Sequence, residues 1–167
     1  MQKINDVTSR LCKVLIMVMV LLMTLVIFAQ VIMRYVFLAP FAWAEEVGRY
    51  LLIWISSLGA AYAVRYGMHI SVIFISQKLK GYTAFAVGMV IHLMVIAFSF
   101  VCFAEGLHLS LRQWDQLSAA LRVPMFFAYV AVPFSFALII MYTLEHMAKG
   151  VASQMSPKSR LGKEDGP

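Results

Sequence analysis

Apolar residues in this chain fall into four long runs separated by short polar stretches. The first runs from Val14 to Met33, interrupted only by Thr24 and Gln30. The second, Val47 to Val64, is apolar apart from Gly48, Arg49, Ser56, Ser57 and Gly59. It is preceded by Pro40, which breaks the chain, and by Trp43, an aromatic suited to the headgroup level, so its helix is expected to begin near Trp43. Tyr82 to Ala104 and Val123 to Leu144 hold no charged residue at all. A hydrocarbon core of roughly 30 Å takes about 20 apolar residues per helix, and each run is long enough. The pattern predicts an all-α integral membrane four-helix protein with spans of about 14–33, 43–64, 82–104 and 123–144. Pro124 stands at the start of the last span, where proline is tolerated, whereas Pro133 lies inside it and predicts a kink.

The connecting segments add short amphipathic interfacial helices to this picture. Ile70, Ile73, Phe74 and Gln77 recur at helical spacing within Met68 to Lys80. From Glu105 to Arg122, Leu107, Leu111, Trp114, Leu117 and Leu121 form one stripe, opposite His108, Arg112, Gln113 and Asp115. That segment reads either as an interfacial helix or as a plain extension of the third span. Residues 1–147 thus form a single transmembrane domain, and 148–167, rich in Ser, Gly, Pro and charge, are expected to be a flexible polar tail.

Charge orients the bundle. Ten Lys and Arg (Lys3, Arg10, Lys13, Arg65, Lys78, Lys80, Lys149, Lys158, Arg160 and Lys163) fall on one side, against Arg34, Arg49, Arg112 and Arg122 on the other. The positive-inside rule then puts both the N and C termini in the cytoplasm. Lys3, Arg10 and Lys13 resemble the basic start of a signal peptide. The first apolar run, however, exceeds the roughly 7–15 residues of a signal h-region and ends in Met33-Arg34-Tyr35, with no small-residue cleavage site. It reads as a retained helix.

The bulk composition agrees: 62% hydrophobic and 13% charged, where a soluble domain carries about 25% charged residues. The net charge of +6 is distributed between and beyond apolar runs, with no basic stripe interleaved with aromatics. Nucleic acid is therefore not the expected partner; membrane lipid is. Cys12 and Cys102 have neither a metal-binding nor a redox spacing, and the topology places them near opposite faces, so both are expected as free thiols.

Ionisable groups near the bilayer are the first candidates for function. Glu45 and Glu46 lie four and three residues before Arg49, within pairing reach along one helix. They read as a structural or partner-interface ion pair, with Arg34 as a second cation, or alternatively as a proton or substrate site. Adjacent helical residues diverge by about 100°, poor geometry for a shared acid–base site. No nucleophile triad, phosphate loop or metalloprotease motif is present, so an enzyme is not expected. His92 alone lies deep in a span, which disfavours a bis-histidine haem and fits a packed residue donating a hydrogen bond between helices. Ser56 with Ala60, and Gly59 with Ala63, form small-xxx-small pairs suited to close helix packing. Trp43, His69 and Trp114 are the expected interfacial residues.

The stretch from Arg34 to Ile75, RYVFLAPFAWAEEVGRYLLIWISSLGAAYAVRYGMHISVIFI, resembles the small membrane subunit (DctQ-like) of tripartite ATP-independent periplasmic (TRAP) transporters. The matching features are Arg34-Tyr35, Trp43-x-Glu45-Glu46, Arg49, Trp54, Gly59-Ala60-Ala61 and His69 before a β-branched run. Ile73 departs from the pattern, because many relatives carry an acidic residue there. The resemblance implies a bacterial inner-membrane scaffold partnered by a large multi-span subunit that holds the sodium and substrate sites. It also implies a periplasmic solute-binding protein that delivers an organic acid such as a C4-dicarboxylate, sialic acid or keto acid. No cofactor is implied for this chain. A haem- or quinone-associated anchor subunit, or a small four-helix exporter, is the other reading that four spans allow.

The charge asymmetry yields a direct test. A fluorescent protein fused after Pro167 is expected to fold and fluoresce, and alkaline phosphatase fused there to be inactive; an active phosphatase would invert the orientation.

Overall fold

In the computed structural model the backbone is described for residues 2–39, 41–78 and 82–155, and side chains for 5–39, 41–66 and 86–150. Five helices follow in order: α1 (Gln2–Tyr35), α2 (Ala42–Lys78), α3 (Tyr82–Arg112), the single turn α4 (Phe126–Tyr129) and α5 (Ala131–Met155). Stretches long and apolar enough to cross a membrane cover Asn5–Tyr35, Ala42–Tyr66, Ala86–Arg112 and Phe126–Gly150, matching the four predicted runs. The first begins well before Val14, because the polar residues ahead of the apolar run are held in the helix by partners on α2 and α5.

Central in the bundle is α5, packed between α2 and α3, while α1 lies chiefly against α2. Burial follows that order: 44% of the most apolar window of α5 is buried, against none of the corresponding window of α1. Cys12, Leu58, Ala61, Leu138, Ile139 and Tyr142 form the core where α1, α2 and α5 meet. The outward faces keep large apolar side chains exposed, such as Leu21, Leu25, Phe28, Met94 and Phe98. In a bilayer that surface is what lipid solvates.

Pro133 lies inside the last span, as expected, and a single residue with a right-handed helical backbone, Val130, separates α4 from α5 there. Lacking an N–H, Pro133 cannot bond to the carbonyl four residues earlier. The hydrogen bonds Val130 N to Phe126 O (2.9 Å) and Phe134 N to Val130 O (3.2 Å) carry the chain across this point. Trp54 reinforces it from α2, donating its indole N–H to the Phe127 carbonyl at 2.9 Å.

The segment 105–122 does not form a separate amphipathic helix. Its first part extends α3 to Arg112, and the rest is a hairpin that reaches past Val123 and Pro124, so the last span starts at Phe126 rather than at 123. Ser118 N bonds Val123 O at 2.9 Å and Met125 N bonds Gln116 O at 2.8 Å, with Arg122 at φ 52 turning the chain. The leucine stripe was read at helical period, but these backbone bonds go across a turn instead. Residues 68–78 are helical as expected, though continuous with α2 rather than a helix of their own. Beyond residue 147, α5 continues to Met155, and the remaining tail residues lie outside the described residues.

α3 approaches α5 closely at Gly106, where a Cβ would stand 3.2 Å from Pro133 Cδ and 3.5 Å from Val132 Cγ1. Glycine is needed there because the neighbour is a rigid ring. Gly106→Leu is expected to lower unfolding stability in detergent by about 1–3 kcal/mol through overpacking. Gly88→Leu, whose added Cβ meets nothing within 4 Å, is expected to leave stability within about 1 kcal/mol of the parent.

Candidate functional site

Two charged clusters sit at opposite ends of the bundle. At the end where α1 passes into α2, Glu45 is the shared acceptor. Its Oε1 takes Arg34 Nη2 at 3.0 Å and Gln30 Nε2 at 3.2 Å, so the start of α2 is tied to the end of α1. Glu46 turns the other way. Its two carboxylate oxygens accept the backbone N–H groups of Ala120 and Leu121, each at 2.9 Å, and so hold the tip of the hairpin. In a continued helix those amides would bond carbonyls four residues earlier; here a carboxylate on α2 takes them.

The Glu–Arg pairing expected along one helix is therefore not formed. Both carboxylates are engaged elsewhere, and Arg49, exposed on α2, has no ion pair or hydrogen bond among the described residues. Arg49 instead lines a groove of about 570 Å³ in the seam between α1 and α2, with Arg34, Glu45 and Gly48 beside it and Ile27 and Leu52 further along.

The small residues of α2 divide between its two faces. Leu58 and Ala61 are buried in the core, while Ser56, Ala60 and Ala63 are exposed on the opposite side. Gly59 is half-buried, with open space where a Cβ would be. Trp43 is exposed and stacks on Phe41 with ring centroids 5.4 Å apart; Trp114 is exposed and meets Phe126 edge-on at 4.9 Å. Both stand at the end of the bundle that carries Glu45 and Glu46. The side chain of His69 lies outside the described residues. His92 is buried, but its Nδ1 donates to the Gly88 carbonyl of its own helix at 2.6 Å, not to a neighbouring helix as expected. Cys12 and Cys102 are both free thiols.

The second cluster was not singled out in the sequence. Arg65, on α2, reaches Glu145 on α5 at 2.5 Å and Asp6 on α1 at 2.6 Å. Glu145 also accepts from the Asn5 amide and pairs with Lys149 at 2.6 Å. The Arg65 guanidinium lies 5.4 Å from the centroid of the buried Tyr142 ring, a cation–π arrangement. His146 Nε2 donates to the Arg65 backbone carbonyl at 3.2 Å. The Arg65 and Glu145 side chains are only 8% and 4% exposed. Two cations and two carboxylates balance, which makes such burial tolerable. No local spacing signals it, because Arg65 and Glu145 are 80 residues apart. The one usable clue was the orientation rule, which puts the ends of all three helices on one side of the membrane.

Removing one member of this buried pair leaves the other charge uncompensated, typically at a cost of about 3–5 kcal/mol. Arg65→Met and Glu145→Met are each expected to destabilise the detergent-solubilised chain on that scale. The double variant should lose clearly less than their total. Additive losses in a denaturant titration would mean the two side chains are not coupled.

Residues 23–153 match the sequence profile of a family described as tripartite ATP-independent periplasmic transporters, DctQ component. The chain is 32% identical over 79 residues to a TRAP transporter small permease protein of Haemophilus influenzae, a match covering 47% of this chain and 49% of that one. It is 29% identical over 137 residues to the ectoine TRAP transporter small permease protein TeaB of Halomonas elongata, covering 81% and 71%. It is also 27% identical over 97 residues to the sialic acid TRAP transporter permease protein SiaT of Haemophilus influenzae, covering 56% of this chain but 14% of that larger protein. The match thus spans about half of the first relative's length.

Proposed function

Because the chain belongs to the DctQ family of tripartite ATP-independent periplasmic transporters, we propose that it is the membrane scaffold for a large multi-span permease subunit. It is a multi-pass protein of the bacterial inner membrane. In this reading the large subunit carries the sodium and substrate sites, and a periplasmic binding protein delivers an organic acid. The relatives named for ectoine and for sialic acid are both tied to small carboxylate-bearing solutes, which supports that substrate class.

The observation that carries the scaffold reading is the division of α2. Leu58, Ala61 and Arg65 face the chain's own core, while Ser56, Ala60 and Ala63 recur on the opposite, uncovered face. In a bilayer, lipid tails are as apolar as leucine, so helices associate by close backbone approach over small residues. A face of that kind, left open by the chain's own packing, suits a helix of another subunit. The charged residues support the same reading: Glu45, Glu46 and Arg34 are committed to internal structure that braces α2 against α1 and the hairpin.

The test is co-expression with the large subunit and purification through a tag on this chain. The large subunit is expected to co-purify. Ser56→Leu with Ala60→Leu should reduce its recovery at least tenfold while this chain still inserts and stays monodisperse. Proteoliposomes holding both subunits, with the binding protein outside, should accumulate the organic acid under a sodium gradient. Uptake by this chain alone would place the transport site here and end the scaffold reading.

A further inference from the structure

The groove between α1 and α2 has a gradient of polarity along the membrane normal. Two contacts set the register of the antiparallel helices: Glu45 bonds Gln30 at 3.2 Å, and a Cβ on Gly48 would lie 3.8 Å from Ile27. One turn deeper, Leu52 therefore comes level with Met23. The lining joins Arg34, Glu45 and Arg49 to Ile27, Leu52 and Met23. In this register Arg34 and Glu45 stand at the outer end, the Arg49 backbone is level with Ile27 with a stem long enough to reach outward, and Leu52 and Met23 lie deeper. Polar at the headgroup end and apolar toward the bilayer centre, the seam has the chemistry of an amphiphile's complement.

Charge selects the kind of amphiphile. Arg34 is paired with Glu45 at 3.0 Å, and Glu46 is turned away to the amides of Ala120 and Leu121, so among the described residues that line the groove Arg49 is the cation without an ion pair. That residue stands about 10 Å along α2 from Ala42 at about 1.5 Å per residue, inside a membrane-crossing segment. An unpaired Arg is costly there, and its long stem lets the guanidinium rise toward the headgroups. A guanidinium matches a phosphate oxygen pair in geometry as well as charge. The volume of about 570 Å³ lies in the range of about 300–1,000 Å³ typical of small-ligand sites. A transmembrane helix, roughly 10–12 Å across with its side chains, would bridge over such a seam rather than fill it.

We propose that the seam between α1 and α2 binds one anionic phospholipid, its phosphate on Arg49 and an acyl chain along Ile27, Leu52 and Met23. The lipid sits in the seam between the two helices and supplies the unpaired Arg49 guanidinium with a partner. This site stands independently of the scaffold reading, since it needs only this chain and the membrane.

Native mass spectrometry of the purified full chain, titrated with phosphatidylglycerol or with phosphatidylcholine of the same acyl chains, tests it. Wild type is expected to retain one phosphatidylglycerol at least tenfold more tightly than phosphatidylcholine. Arg49→Gln should bring phosphatidylglycerol down to the phosphatidylcholine level with unchanged melting, because the side chain has no partner to lose among the described residues. Leu52→Trp, on an exposed position of the groove wall, should weaken both lipids. Arg112→Gln, exposed and outside the groove, should weaken neither. Equal retention of the two lipids, or an Arg112→Gln loss as large as that of Arg49→Gln, would reduce the effect to general electrostatics and overturn the site. Unchanged phosphatidylglycerol binding in Arg49→Gln, with loss of the large subunit from the purified complex, would assign the groove to an acidic partner helix instead.

Discussion

Arg65 is where three helices become one body. Its guanidinium takes Glu145 from α5 and Asp6 from α1, while its own α2 backbone carbonyl receives His146. α1 also meets α5 through Asn5 on Glu145 and through Cys12 in the core beside Leu138 and Tyr142, but it packs chiefly on α2 and presents most of its apolar surface outward. A bilayer offers no hydrophobic penalty for letting such a helix drift away, because lipid solvates its side chains as well as a neighbouring helix does. What keeps α1 in register is therefore polar. A neutral, mutually bonded set of charges costs least when all its members are together, and separating the helices would expose them one by one.

The opposite end uses the same physics with a different geometry. Glu45 and Glu46 are neighbours in sequence, and consecutive helical residues point about 100° apart. That divergence rules against a shared acid–base site but suits bracing two neighbours at once. Glu45 grips α1 through Arg34 and Gln30, while Glu46 satisfies two backbone amides of the hairpin that joins α3 to α4. With both carboxylates occupied, the remaining cation, Arg49, is turned out into the groove. An internal bracing role thus generates an external site.

Between these two clamps the bundle is held by ordinary close packing, as where Gly106 meets Pro133. The proline inside the last span is the same residue that packs against this glycine, and Trp54 bridges to the short helix before it. One small-residue face of α2 is left open by this packing, in a chain that belongs to the DctQ family.

Much of the protein was legible in its residues alone. Four apolar runs of membrane-crossing length dictate four helices, because the backbone must satisfy its own hydrogen bonds in hydrocarbon, and the Arg34–Ile75 motif pointed to the family. Element types were readable wherever the constraint was local. The hairpin at 113–125 was not, since its leucines keep a helical period and the deciding acceptor, Glu46, lies 74 residues before Ala120. Arg34, expected as a second cation for the carboxylates, does pair with Glu45, whereas the pairing of Arg49 was misjudged for a related reason: spacing along one helix gives who can pair, and only the packing of α1 against α2 gives who does. Arg65 and Glu145 carried no local signal at all, because ion pairs between helices depend on which ends of the chain the fold brings together. Sequence determined what each segment must be in a membrane, which is a matter of solvation residue by residue. Tertiary structure decided which charges neutralise one another, which is a matter of distance in space.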